Sequence, residues 1–242
     1  MLFSRILNSP TVNKLKRGTS LIGACLGNFD GFHRGHLQIV SRLREALEEK
    51  AESQGKTSLM VLVTFEPHPK RTLAGVRWTN VREDEQYALI MAVRDKYHAA
   101  KSLGFDAWIA LRFTPDFYMR DPQWFVDELL VNDLGAKVLV VGEDFRFGRN
   151  RAGDVSYLRE TCRQWNICVD VVEDECDEFG ERISSSRISE LIIAGEVEMA
   201  AKLLVHEHCL TCRVAYGDAR GKGLGFPTAN LNVGIQVFPK NG

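Results

Sequence analysis

Short apolar runs alternate along the chain with stretches whose apolar residues recur at helical spacing. Leu21–Gly27 reads as a buried strand. Leu37, Val40, Leu43 and Leu47 follow with charges between them, and Gly55 stops that helix. Ser58–Phe65, Ala107–Phe113, Lys137–Val141 and Ile167–Val172 are four further strands. Between them the pattern predicts helices from about Glu83 to Leu103, from Asp121-Pro122 to just before Gly135, and over Asp154–Trp165. Strand–helix–strand repetition at this pitch implies an α/β fold, a doubly wound parallel sheet of five strands with helices on both faces. Past Ser184 two short helices are expected, Ser186–Ala194 and Glu196–Leu204, split by Gly195. From Cys209 the chain turns glycine-rich and β-like. A boundary near Val205–Cys209 divides it into 1–205 and 206–242.

Composition adds mainly exclusions. The 242 residues are 45% hydrophobic and 26% charged, enough for a sizeable core without disulfides. Thirty-one basic against thirty-two acidic residues leave a net charge of −1, which argues against a nucleic-acid or anionic-membrane footprint. No apolar run reaches the length of a membrane span, and the N-terminus lacks a signal pattern. Six dispersed cysteines fit reduced thiols in a cytoplasmic protein.

In an open parallel sheet, ligands bind beyond the carboxyl ends of the strands. There the sequence places Asn28–His36, Glu66–Pro69, Thr114–Asp116, Gly142–Gly148 and Glu181–Ser186. His33 and His36 sit at the entry to a helix with Gly35 between them. Free N–H groups and the positive end of the helix dipole suit phosphate oxygens there, and two imidazoles add donors. A metal reading would join His33 and His36 to His68, Asp30 and Asp144. The zinc-helix signature, with histidines four apart around a glutamate, is absent.

The run G-N-F-D-G-F-H-R-G-H, then T-F-E-P-H-P, V-G-E-D-F-R-F-G, R-I-S-S-S-R-I and G-F-P-T-A-N resembles the bacterial bifunctional FAD synthetases. The resemblance runs from about residue 20 to the end. It implies a Rossmann-like nucleotidyltransferase domain over 1–205, followed by the start of a small antiparallel β-barrel, the riboflavin kinase module. The implied reaction is transfer of AMP from ATP to FMN, giving FAD and pyrophosphate. Mg²⁺ would accompany ATP, held mainly by phosphate oxygens and water. By the same resemblance, His33, His36 and Arg182 are catalytic. Gly27, Asn28, Phe29, Asp30, Gly35, His36, Ser185 and Ser186 bind ATP. Phe65, Pro67, His68, Asp144, Phe145 and Phe147 form the flavin pocket. Gly225, Pro227, Thr228 and Asn230 match the kinase motif, in which Thr228 and Asn230 serve Mg²⁺–ATP and riboflavin is the acceptor.

Two positions depart from the family pattern. Ser186 replaces a threonine, and Ser189 stands where an arginine is usual, with Arg187 on another face of the helix. The family's kinase glutamate lies downstream of the G-F-P-T-A-N motif. A barrel of this kind needs about a hundred residues, so no riboflavin kinase activity is expected from this chain, and Cys209–Gly242 should be poorly ordered or lean on the first unit. His206, His208, Cys209 and Cys212 are close enough to suggest zinc, but one short stretch rarely closes a tetrahedral site. Two other functions remain open on the residues alone. One is a sibling nucleotidyltransferase with another phosphate acceptor, such as phosphopantetheine; the other is a non-catalytic flavin- or nucleotide-binding remnant.

Overall fold

The computed structural model describes residues 1–4, 20–75, 85–217, 225–226 and 228–240. Strands β1 (Leu2–Ser4), β2 (Leu21–Leu26), β3 (Ser58–Glu66), β4 (Ala107–Arg112), β5 (Val138–Gly142) and β6 (Cys168–Val172) form one sheet. Their order is β1-β4-β3-β2-β5-β6, with every neighbouring pair parallel. The five expected strands are all present, and β1 adds a sixth at the edge beside β4. β2 lies between β3 and β5, so the chain winds away from it in both directions. That switch point opens a crevice at the carboxyl ends of β2 and β5.

Both faces of the sheet are covered. Along β2, Leu21 and Cys25 face a layer containing Val40, Leu43 and Leu47 of α1 (Arg34–Gln54). Ile22, Ala24 and Leu26 point the other way. They meet Leu129 and Leu130 of α6 (Phe125–Leu134, wound as a π-helix) and Leu158 and Cys162 of α7 (Val155–Arg163). Gly23 lets α1 approach closely, because a Cβ there would sit 2.9 Å from side-chain carbons of Leu43 and Leu47. α1 ends at Gly55, whose φ of 60° gives the left-handed cap that glycine favours.

The helix expected from Glu83 is shorter. α3 spans Val93–Ser102, and Glu83 lies outside the described residues. Residues 88–92 are irregular because their N–H groups have partners elsewhere. The Asp30 carboxylate accepts from the N–H of Ile90 and of Met91, each at 3.1 Å. Leu89 N–H donates to the Ile235 carbonyl at 2.9 Å. Short helices α2 (Pro69–Leu73), α4 (Pro115–Tyr118) and α5 (Pro122–Trp124) line the carboxyl edge of the sheet. α8 (Ser185–Ala194) and α9 (Val197–Leu203) are separated at Gly195, φ 85°.

Beyond α9, β7 (Arg213–Ala215) and β8 (Asn230–Asn232) form a two-stranded antiparallel sheet with exposed side chains. The chain then returns to the main body. Val237 N–H donates to the Leu89 carbonyl at 2.8 Å, and Gln236 and Val237 are buried. Part of the C-terminal segment therefore leans on the larger unit. Among the described residues, no helix is long and apolar enough to cross a membrane.

Candidate active site

β2 gives way at Gly27 to a loop with three left-handed residues, Phe29 (φ 48°), Gly31 (φ 90°) and Phe32 (φ 43°). Gly31 packs where a Cβ would come within 3.0 Å of Ile90. Phe29 and Phe32 are fully buried, which offsets the cost of their backbone conformation. Asp30 is the loop's anchor: its carboxylate holds residues 90 and 91, and its carbonyl accepts from Ser185 Oγ at 2.7 Å. The loop thereby fixes His33 and His36 at the start of the 21-residue helix α1, whose first turn carries no acid. Their rings stack at 3.7 Å between centroids, and His36 stacks on Phe29 at 4.7 Å. Each imidazole leaves a buried Nδ1 without a hydrogen-bond partner.

Both imidazoles are held neutral. Burial pushes His33 down to about 4; the Arg182 charge adds to this and Asp144 opposes it. Burial pushes His36 well below the usual histidine range, with His33 and Lys96 adding to it. At neutral pH each ring therefore carries one N–H and one acceptor nitrogen. They are placed as hydrogen-bond donors for phosphate oxygens at a helix N-terminus.

The facing wall is the start of α8. Ser184 Oγ caps it by accepting from Arg187 N–H at 3.3 Å, and Ser186 is exposed on the cavity. Arg182 bridges two loops, with Nη2 2.5 Å from Asp144 Oδ2 and Nε 2.6 Å from Asp174 Oδ2. Arg34 pairs with Glu175 at 2.5 Å. Ser189 is buried and does not line the cavity. Arg187 does not supply the missing charge, since its guanidinium binds Asp177 and the carbonyls of residues 181 and 182.

These walls enclose one cavity of about 640 Å³, within the usual range of small-molecule sites. Its polar end holds Gly27, Asn28, Asp30, His33, Gly35, His36, Arg182, Ser185 and Ser186, with the buried Phe29 beneath. Its other end is aromatic and holds Phe65, His68, Asp144, Phe145 and Phe147. Phe145 and Phe147 stack at 5.5 Å. His68 Nδ1 accepts from Lys70 N–H at 3.2 Å, and burial with Lys96, Lys70 and Arg71 nearby pushes it down to about 2. Pro67 is not part of the cavity wall.

The structure adds residues that the sequence reading passed over. Phe113, Phe117, Tyr118 and Trp124 complete the aromatic end, with Phe65 5.8 Å from Phe113 and 5.9 Å from Phe117. Arg120 lies 5.1 Å from the Trp124 ring centre. The signal was present as a run of aromatic residues just after β4, at the edge where ligands bind. Lys70 also lines the cavity and donates to the Ala88 carbonyl at 2.7 Å. Gly225, Thr228 and Asn230 lie outside the cavity, Asn230 in β8; Pro227 is outside the described residues. His206 bonds the Gly31 carbonyl at 2.8 Å and His208 the Val237 carbonyl at 3.2 Å. Among the described residues, no three or more His, Cys, Asp or Glu side chains are grouped to hold a metal ion.

Two stretches of the chain match known families. Residues 18–187 match the FAD synthetase family model, and residues 204–242 match the riboflavin kinase model. A bifunctional riboflavin kinase/FMN adenylyltransferase from Escherichia coli K12 is 33% identical over 217 residues. A protein of the same description from Listeria monocytogenes is 32% identical over 218 residues. Each alignment covers 90% of this chain and 64% of the relative, so the chain spans less than two thirds of their length. A crystal structure described as a macrolide-efflux protein from Streptococcus pneumoniae superposes with a TM-score of 0.75 at 26% identity, covering 100% of this chain and 73% of the other. With its family model matched across the nucleotide loop, both cavity walls and the start of α8, this chain belongs to the FAD synthetase family.

Proposed function

We propose that the chain transfers AMP from ATP to FMN and releases pyrophosphate. The observation that carries this reading is the two-ended cavity. One end presents neutral imidazoles at a helix N-terminus, and the other presents an aromatic box fit for a flat ring. A phosphate oxygen of FMN attacks the α-phosphorus of ATP. The new P–O bond forms as the bond to the pyrophosphate oxygen breaks, and the pyrophosphate carries away that electron pair. A phosphate monoester dianion is already nucleophilic, so positioning and charge stabilisation suffice without a protein base. His33 and His36 donate to the phosphate chain, Ser185 and Ser186 present the start of α8, and Arg182 exchanges its carboxylate partners for phosphate oxygens.

Mg²⁺ travels with ATP in this reading. Phosphate oxygens and water would hold the ion. The functional units are 1–205 for adenylyl transfer and 206–242 as the beginning of the kinase module. Its substrates are the small molecules ATP and FMN, and its setting is the cytoplasm. Incubation with Mg²⁺, ATP and FMN, followed by chromatography, tests this. FAD and pyrophosphate form in equal amounts if it holds. Flavin fluorescence quenching without turnover would instead identify a binding remnant.

A further inference from the structure

Beneath the nucleotide loop lies a cation that the reaction as described does not use. Lys96, on α3, is 3% exposed. Its Nζ donates to the Asn28 carbonyl at 2.8 Å. A buried ammonium costs several kcal/mol unless charges and hydrogen bonds compensate it. Burial pushes Lys96 below the usual lysine range, and Asp30, from the loop after β2, and Glu66, at the end of β3, oppose this by favouring its charged form. The same ammonium acts on His36 from the first loop and on His68 from the second. One charge therefore underlies both the polar end of the cavity and the wall that leads to its aromatic end. Spaced among the helical charges of residues 93–102, it reads in sequence as an ordinary solvated lysine.

We propose that Lys96 is a positioning residue of the adenylyl-transfer site, its ammonium fixing the Asn28 carbonyl from below and holding positive charge beside His36 and His68. This rests on the reading of the site given above. Two effects follow. The carbonyl tether sets where the nucleotide loop leaves β2, and so where the phosphate chain lies against α1. The charge also adds to the burial that keeps His36 and His68 from taking up protons, so each remains a hydrogen-bond donor of constant charge across the working pH range. The other charged and titratable groups facing these rings are accounted for. At His36 the neighbouring His33 acts in the same direction, at His68 Lys70 and Arg71 do, Arg182 and Asp144 act with opposite sign on His33, and Asp30 and Glu66 act on Lys96 itself.

The test compares the wild type with Lys96→Gln, which retains a donor without the charge, and Lys96→Arg, which retains the charge. Histidine titrations followed by NMR, the pH profile of kcat/KM for ATP, and thermal melts are recorded for each. In Lys96→Gln the His36 and His68 midpoints rise. The acid limb of kcat/KM moves to higher pH, and kcat/KM for ATP falls tenfold or more while the Kd for FMN holds within twofold. Lys96→Arg keeps the midpoints low. Unmoved midpoints in Lys96→Gln overturn the proposal, even if activity falls, because the residue would then act only as a structural tie. If Lys96→Gln does not fold, the wild type decides: imidazoles titrating near pH 6.5, or an acid limb there, overturn it. A wild type that makes no FAD defeats the functional reading, while the NMR midpoints still judge Lys96.

Discussion

Replacing Arg182 with methionine separates binding energy from fold stability at a cation that bridges two loops of the cavity. The arginine makes two short ion pairs, but its side chain is 47% exposed, with Asp144 at 62% and Asp174 at 29%. Pairs this wet contribute only about 0.2–1 kcal/mol each. For a chain of this size the melting temperature should therefore fall by no more than about 4–8 °C. Its loss from the transferring phosphates is larger. A charge-assisted hydrogen bond is worth about 1.5–3 kcal/mol, which is about 10- to 150-fold in rate. Thermal melts and initial rates of FAD formation at saturating FMN, with ATP varied, measure both quantities on one preparation. A melting loss above about 10 °C with kcat/KM for ATP unchanged would refute the reasoning, because Arg182 would then be a structural clamp.

Three further outcomes follow from the same geometry. Phe117→Ala removes a ring from the aromatic end and should weaken FMN binding about tenfold by fluorescence quenching, leaving the KM for ATP within twofold. Gly23→Val drives a Cβ to 2.9 Å from Leu43 and Leu47 and should cost about 1–3 kcal/mol in urea unfolding; an unchanged midpoint would contradict the close approach of α1. His33 is held down to about 4, and His36 well below the ordinary 6.5, by burial. The unfolded chain therefore binds more protons below pH 6.5, so stability is full above that pH and is lost as pH falls from 6.5 through about 4. A melting temperature that stays flat from pH 6.5 to 5, above the carboxylate range, would show these imidazoles to be solvated.

Periodicity revealed the parts of the fold whose burial is dictated by the sheet. β2, β3, β4, β5 and β6 are apolar runs between amphipathic helices, and the polar loops after them converge as an open parallel sheet requires. β1 escaped notice because three residues carry no periodicity; it is a strand only because Ala107, Trp108 and Ile109 of β4 offer it a ladder. Residues 88–92 carry helical spacing yet stay irregular, since Asp30 and Ile235 claim their N–H groups across the fold. The histidine pair and the serine-capped α8 were legible as motifs. The aromatic residues from Phe113 to Trp124 stood at the ligand-binding edge without matching a motif, and the buried Lys96 gave no signal, because a partner 68 residues away, Asn28, decides whether a helical lysine is solvated or buried.

The central claim is that this cavity joins AMP to FMN. Its most direct measurement is FAD formation from ATP and FMN, with His36→Ala assayed alongside. The account predicts FAD and pyrophosphate in equal amounts from the wild type. It predicts at least a hundredfold slower formation from the variant, with FMN binding retained. No FAD from micromolar wild-type enzyme, or equal rates from both proteins, would contradict it.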